Sequence, residues 1–297
     1  MQPVLDNVAA WMVLRGLVGF LASGLFAAIE SWLNAIASNA NRGRTLSIYS
    51  ITNQSALACG QFLFTLSPAA SGTGFYLSAA ILLLTMAPFA AMRGPPPAPP
   101  AQNRIRVAAL AKGSPVAFAG YIANGMATAP FWVLGPVFAR DSGFDQAKIA
   151  LFMALPIIGS LVLQWPVARL SDGMDRRQVI LPIALGAALA AAAVAFAATL
   201  GAAWAVLIGI VMFGATAFLI NMLSSAHMND RVDPADLTEA AGASFLVYGA
   251  ASALGPITAS IAMQYLGPAG LFWHAGAVLA LLGVFTATRI AVRPGSV

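Results

Sequence analysis

Five stretches of this chain contain no Asp, Glu, Lys or Arg: residues 45–92, 113–139, 149–168, 178–229 and 240–288. Runs of this length constrain the fold more than any other feature, because apolar sequence with no charge to solvate calls for a solvent other than water. A bilayer core takes about 20 residues of helix, and each backbone N–H and C=O in lipid must be paired within the spanning structure. The runs are too long for barrel strands and predict an all-α, polytopic membrane protein. With 60% hydrophobic and 8% charged residues, the composition lies outside the range of soluble domains.

The first, fourth and fifth runs are each long enough for two spans. Each breaks near its middle at turn-forming or small residues: "SPAASGTG" (67–74), "TLGAA" (199–203) and "LGPAG" (266–270). A further span precedes them and contains Arg15 and Glu30. The reading is nine helices, at 9–33, 45–66, 74–92, 115–138, 148–168, 178–199, 203–224, 240–264 and 270–288. Between the third and fourth lies the only long polar connection, 93–113, with five prolines in 95–100. Such a run favours extended polyproline geometry and acts as a semi-rigid linker between two membrane units. This divides the chain into 1–92 (three helices), the linker, 114–290 (six helices) and a tail, 291–297.

Orientation follows from the basic residues, since short cytoplasmic loops retain Lys and Arg. One set of alternate loops, with the C-terminus, holds twelve: Arg42, Arg44, Arg93, Arg104, Arg106, Lys112, Arg169, Arg176, Arg177, Arg231, Arg289 and Arg293. The other holds Arg140 and Lys148 alone. The C-terminus is therefore expected in the cytoplasm, and the pI of about 9.9 reflects topology rather than nucleic-acid binding. The segment before the first apolar run has Asp6 and no Lys or Arg, which is the wrong charge for a signal peptide. The single cysteine, Cys59, excludes an intramolecular disulfide, and no metal-ligand spacing or cofactor motif is present.

A shift of 195 residues superposes Gly19 on Gly214, Asn34 on Asn229 and Gly60 on Gly255, so spans one to three look like counterparts of spans seven to nine. Spans four to six are then left without partners. On this arithmetic the chain is a protein of two six-helix halves lacking its first three helices.

"ARLSDGMDRR" (168–177) packs five charges beside two long uncharged runs. It resembles the loop motif of the major facilitator superfamily, G-x-L-x-D-R-x-G-R-R, between the second and third helices of a six-helix half. Leu170, Asp172, Arg176 and Arg177 match; Ala168, Gly173 and Asp175 depart, removing one positive charge and adding an acid. Arg15 and Gly16 in "RGLVGFLASGLF" are placed like the superfamily's fourth-helix Arg-Gly motif. "ESWLNAIASNANRGR" (30–44) is similar to a bacterial branch of transporters within it. The resemblance implies helices 4 to 12 of a twelve-helix secondary active transporter in a bacterial inner membrane, working as a monomer by alternating access.

That implication assigns two tasks. Cytoplasmic groups must latch one closed state reversibly, and a carboxylate at a helix N-terminus meets unpaired N–H groups and the positive end of the dipole. Asp172 is the leading candidate, facing the helix that starts near Arg44. Asp172 with Arg42 or Arg44, and Glu30 with Arg176 or Arg177, are the expected latch pairs. Mid-membrane polar groups must bind the solute, and the candidates are Asn53, Gln54, Gln61, Tyr121, Asn124, Gln164, Asn221 and Tyr248. Amides and phenols in membranes also serve as interhelical hydrogen bonds, and small residues such as Gly242, Gly249 and Gly255 as close-packing points. His274 is read as a packed or interfacial residue, and proton coupling stays open. An inactive fragment of such a transporter is the alternative. An intramembrane enzyme is the remote one, since no H-E-x-x-H pair, aspartyl pair or nucleophile with a matching His occurs.

Overall fold

The computed structural model describes residues 7–36, 42–63, 73–91, 106–233 and 236–292, and among them it contains helices and no strand. In chain order they are α1 (Val8–Ile36), α2 (Arg42–Leu63), α3 (Thr73–Ala91), α4 (Val107–Gly113), α5 (Pro115–Asp141) and α6 (Gln146–Asp172). There follow α7 (Arg176–Thr199), α8 (Ala203–Ala217), α9 (Leu219–Asn229), α10 (Leu237–Leu266) and α11 (Gly270–Val292). The chain divides into two compact units, Met1–Gln102 and Asn103–Val297.

In the second unit six helical segments are long and apolar enough to cross a membrane: α5, α6, α7, α8 and α9 taken together, α10 from Glu239, and α11. Their connections are short because the ends carry their own stop signals. Asp145 caps α6, its side chain accepting the Lys148 N–H at 2.8 Å, and Asp175 caps α7 in the same way through the Arg177 N–H. The turns at Gly143, Gly201 and Gly267 each place a glycine at positive φ, a conformation that a side chain disfavours. Gly143 closes its turn with its N–H on the Arg140 carbonyl and the Phe144 N–H on Ala139.

The six segments pack as a bundle in which α5 lies against α10 and α11, α7 against α8 and α11, and α6 against α8. Between helices in lipid the hydrophobic effect supplies little, so close backbone approach does the work. A Cβ on Gly214 would stand 2.2 Å from the Pro156 backbone, and one on Gly159 would stand 2.3 Å from the Val211 carbonyl; these two glycines make the α6–α8 crossing. Gly125 and Gly255 do the same for α5 and α10. At Gly249, expected to be such a point, an added Cβ would meet nothing within 4 Å among the described residues. Phe131, Phe138, Phe152, Phe213 and Phe272 fill the core with edge-on and tilted ring contacts. The outside is apolar as well: Leu189, Trp204, Ile208 and Phe245 are largely exposed, as a lipid-facing surface requires.

The first unit holds α1, α2 and α3, with Val13, Phe20 and Leu82 to Leu84 on its exterior. α1 and α3 carry shorter apolar stretches, Val13–Phe26 and Thr73–Ala87, and α2 is less apolar than a candidate span. Six of the nine expected spans therefore meet the length and hydropathy of a crossing helix among the described residues.

Candidate functional site

The motif loop is the turn from α6 into α7. Gly173 ends α6 with its N–H on the Leu170 carbonyl at 3.3 Å, and two residues later Asp175 starts α7. The two adjacent arginines are used differently. Arg177 is buried, 5% exposed, and its guanidinium reaches Asp175 and the end of α11. It donates Nε–H and Nη2–H to Asp175, at 3.0 and 2.6 Å to Oδ2, and Nη1–H to the Arg289 carbonyl at 3.0 Å. That carbonyl lies in the last turn of α11, so Arg177 ties the start of α7 to the end of α11. The Arg177 guanidinium holds the Asp175 carboxyl below the usual carboxylate range, against the opposing effect of burial. In the turn between α5 and α6, the Lys148 N–H similarly lowers Asp145.

Arg176 points the other way. Its Nη1–H groups reach Asp172 Oδ1 and Ser171 Oγ, each at 3.1 Å, and its Nε–H is donated to Asp230 just past the end of α9. Asp172 remains 70% exposed, with Arg176 as its only ion-pair partner among the described residues. Asp172, Asp230, Arg176, Ser171, Asn229 and Met222 line a groove between the ends of α6 and α9. Two carboxylates against one guanidinium leave its rim negative. Asp230 and the capping role of Asp175 were missed from sequence. A signal existed in "MNDRVD" (228–233), the charge cluster that ends the fourth uncharged run.

Tyr121 on α5 is buried and shares a hydrogen bond with Ser225 of α9 at 2.9 Å, beside the Met228 sulfur at 3.7 Å. It packs with Leu110, Ala117, Ala240, Ala243 and Val247, and half-buried Tyr248 lies against the same cluster. Asn124 is buried one turn further along α5, and the Thr128 hydroxyl donates to its carbonyl at 2.7 Å. Gln164 is half-buried and Asn221 exposed. In the first unit Asn53 and Gln61 are half-buried. The side chains of Gln54, Glu30, Arg42 and Arg44 lie outside the described residues. His274 Nε2 is 2.9 Å from the Thr258 hydroxyl, which links α11 to α10. No group of three or more His, Cys, Asp or Glu that could hold a metal occurs among the described residues.

The Major Facilitator Superfamily profile matches residues 3–256 and, in a second register, 117–296. The chain belongs to this superfamily. The MFS-type transporter YfkF of Bacillus subtilis is 30% identical to it over 192 residues, covering 62% of this chain and 49% of that protein. The MFS-type transporter YcaD of Salmonella paratyphi B is 24% identical over 260 residues, covering 86% and 66%. YcaD of Salmonella typhimurium matches to the same extent. The chain thus spans about half to two thirds of the length of these relatives. No solved structure matches it. Superfamily membership and the apolar helices together make it a multi-pass membrane protein of transporter type.

Proposed function

We propose that the chain acts in secondary active transport of a small uncharged solute, by alternating access, with α5 to α11 as one six-helix half. In this reading 1–92 supplies helices of the other half, 93–113 is the linker, and the C-terminus is cytoplasmic. The observation that carries it is the division of labour in the motif loop. Arg177 is committed inside the unit, Arg176 is bound to Asp230, and Asp172 stays outward on a negative groove. Such a groove suits a basic, N-terminal helix end, and "NRGR" at the start of α2 has that chemistry. Asp172 is then the latch, held in place by Arg176. Glu30 with Arg176 or Arg177 is the weaker pair, because both arginines already have carboxylate partners.

The spans of the second unit support an uncharged solute. Between the first and last turns of the six spans in the second unit there is no Asp, Glu, Lys or Arg. Asn124, Gln164, Asn221 and Tyr248 offer neutral donors and acceptors, with Asn53, Gln54 and Gln61 as candidates from the other unit. Tyr121 is the least suited, since its hydroxyl is already engaged.

Cysteine cross-linking tests the latch directly. In a Cys59→Ala background, Asp172→Cys paired with Arg44→Cys or Arg42→Cys should form a disulfide on mild oxidation in membranes, because bridged Cα atoms lie within about 7 Å. Absence of both cross-links, with each single cysteine still labelled by maleimide, overturns the latch. For transport, proteoliposomes of the full chain are assayed with a labelled sugar and a labelled polyol. Uptake of at least one, lost in Asp172→Asn, is expected, and equal uptake by the variant removes Asp172 from the mechanism.

A further inference from the structure

A second polar cleft opens on the same end of the six-helix unit. It is lined by Arg177, His227, Arg231 and Arg289 and by the first residues of α5, Pro115 and Val116. These come from the ends of four different spans. Three observations about it point to one ligand chemistry.

The first is charge. Asp175 is bound by Arg177 and Asp230 by Arg176, and Asp233, Asp236 and Glu239 share with Arg231 a neighbouring cleft rather than this one. Arg231 and Arg289 have no carboxylate within ion-pairing distance among the described residues, although both line the cleft. The second is the start of α5. Proline at the first helical position has no N–H, but the N–H groups of Val116 and Ala117 are among the donors a helix start leaves free, at the positive end of a 27-residue helix. Ser114, in the cap position, is fully buried, its hydroxyl caps nothing, and its Oγ has no partner. The third is His227. It is 4% exposed, lines the cleft, and makes no side-chain hydrogen bond among the described residues. A buried imidazole facing two arginines and the N–H donors of the α5 start leaves the cleft richer in donors than in acceptors.

We propose that this cleft binds a phosphate group, with Arg231 and Arg289 as the charged donors and His227 and the α5 N-terminus completing the cradle. The cleft is narrow. Its volume of about 20 Å³ admits one phosphoryl oxygen toward His227 and the α5 start, and the rest of the group stays at the mouth, where Arg231 is exposed. Arg177 is the floor rather than a ligand, since its donors are shared between Asp175 and the Arg289 carbonyl. Guanidinium groups suit phosphate because two parallel N–H donors meet two oxygens. The site lies at the span ends predicted to be cytoplasmic, so the group arrives either on an anionic phospholipid or as soluble phosphate. Its occupancy would tie α5, α9 and α11 together through one anion. The inference does not depend on transport or on the latch.

The test uses the full chain, purified in a non-ionic detergent, and follows its melting temperature. The probes are inorganic phosphate against sodium chloride at equal ionic strength, and phosphatidylglycerol against diacylglycerol of the same chains. Phosphatidylglycerol is expected to raise the melting temperature by about 3 °C, with half-saturation moved about tenfold upward by each arginine removed. Arg231→Gln with Arg289→Gln should abolish the shift. Arg140→Gln with Arg169→Gln, an equal change of charge outside the cleft, should keep it. A shift with phosphatidylglycerol alone identifies a lipid headgroup, and a shift with inorganic phosphate as well identifies a general phosphate site. No shift with either probe, or a shift that survives the cleft variant, overturns the proposal. Should the double variant not elute as a single species, Arg231→Gln alone, with bound lipid counted by native mass spectrometry, decides in the same terms.

Discussion

Arg177 shows how one side chain can be structural inside the loop proposed as a latch. It is buried against Asp175 and reaches across to the α11 carbonyl of Arg289, so its removal leaves a carboxylate in a partly dry site and an unpaired carbonyl. Breaking one side of such a pair costs about 3 kcal/mol or more, and Arg177→Ala should lower the melting temperature and the yield of folded protein while Asp172→Asn changes neither. The pairing also sets a pH dependence. With its carboxyl held below the usual range, Asp175 stabilises the folded chain fully at neutral pH, where the unfolded chain's aspartate is ionised too. Once the pH falls below about 4, the unfolded chain takes up the proton first, and the stabilisation is lost as the pH drops through the lowered folded value. Asp175→Asn should therefore be less stable at pH 7 and show a shallower loss on the acid side, measured by thermal melting across pH. The sequence pointed to Asp172, Arg176 and Arg177 as a set through their spacing. It could not separate them, because burial decides which arginine is fixed, and burial depends on α11, more than a hundred residues away.

At the scale of helices, the bundle depends on a few points where backbones touch. Gly214 and Gly159 leave no room for a side chain at the α6–α8 crossing, so Gly214→Leu must push the helices apart at a cost of about 2 to 3 kcal/mol. Gly249→Ala meets open space and should stay within about 0.5 kcal/mol of the parent. Comparing the two in detergent melts tests whether close approach, rather than glycine content, holds the unit. The turns were legible beforehand, since "TLGAA" and "LGPAG" interrupt uncharged runs and each proves to contain a glycine at positive φ. Which glycines pack was not, because all of them sit in apolar sequence and the deciding fact is what lies opposite. Gly214 and Gly255 prove to be contact points in the second unit.

Over the whole molecule, the distribution of basic residues predicts that the motif loop and the C-terminus share the cytoplasmic side. Green fluorescent protein fused after Val297 should then fluoresce, alkaline phosphatase at the same place should be inactive, and the reverse pattern would invert the topology. The long uncharged runs by themselves determined that the chain is helical and lives in a membrane, since no other solvent accepts so much apolar helix. The order and spacing of several short motifs likewise pointed to the superfamily to which the chain belongs, because each motif is contiguous. Only the tertiary structure decided the rest. It joined Asp230 to Arg176, put Arg177 under α11, used up the Tyr121 hydroxyl on Ser225, and gathered Arg231, Arg289 and His227 at the start of α5. Each of these brings together residues from different spans. Composition and periodicity report what each helix buries, but not which helix it is buried against.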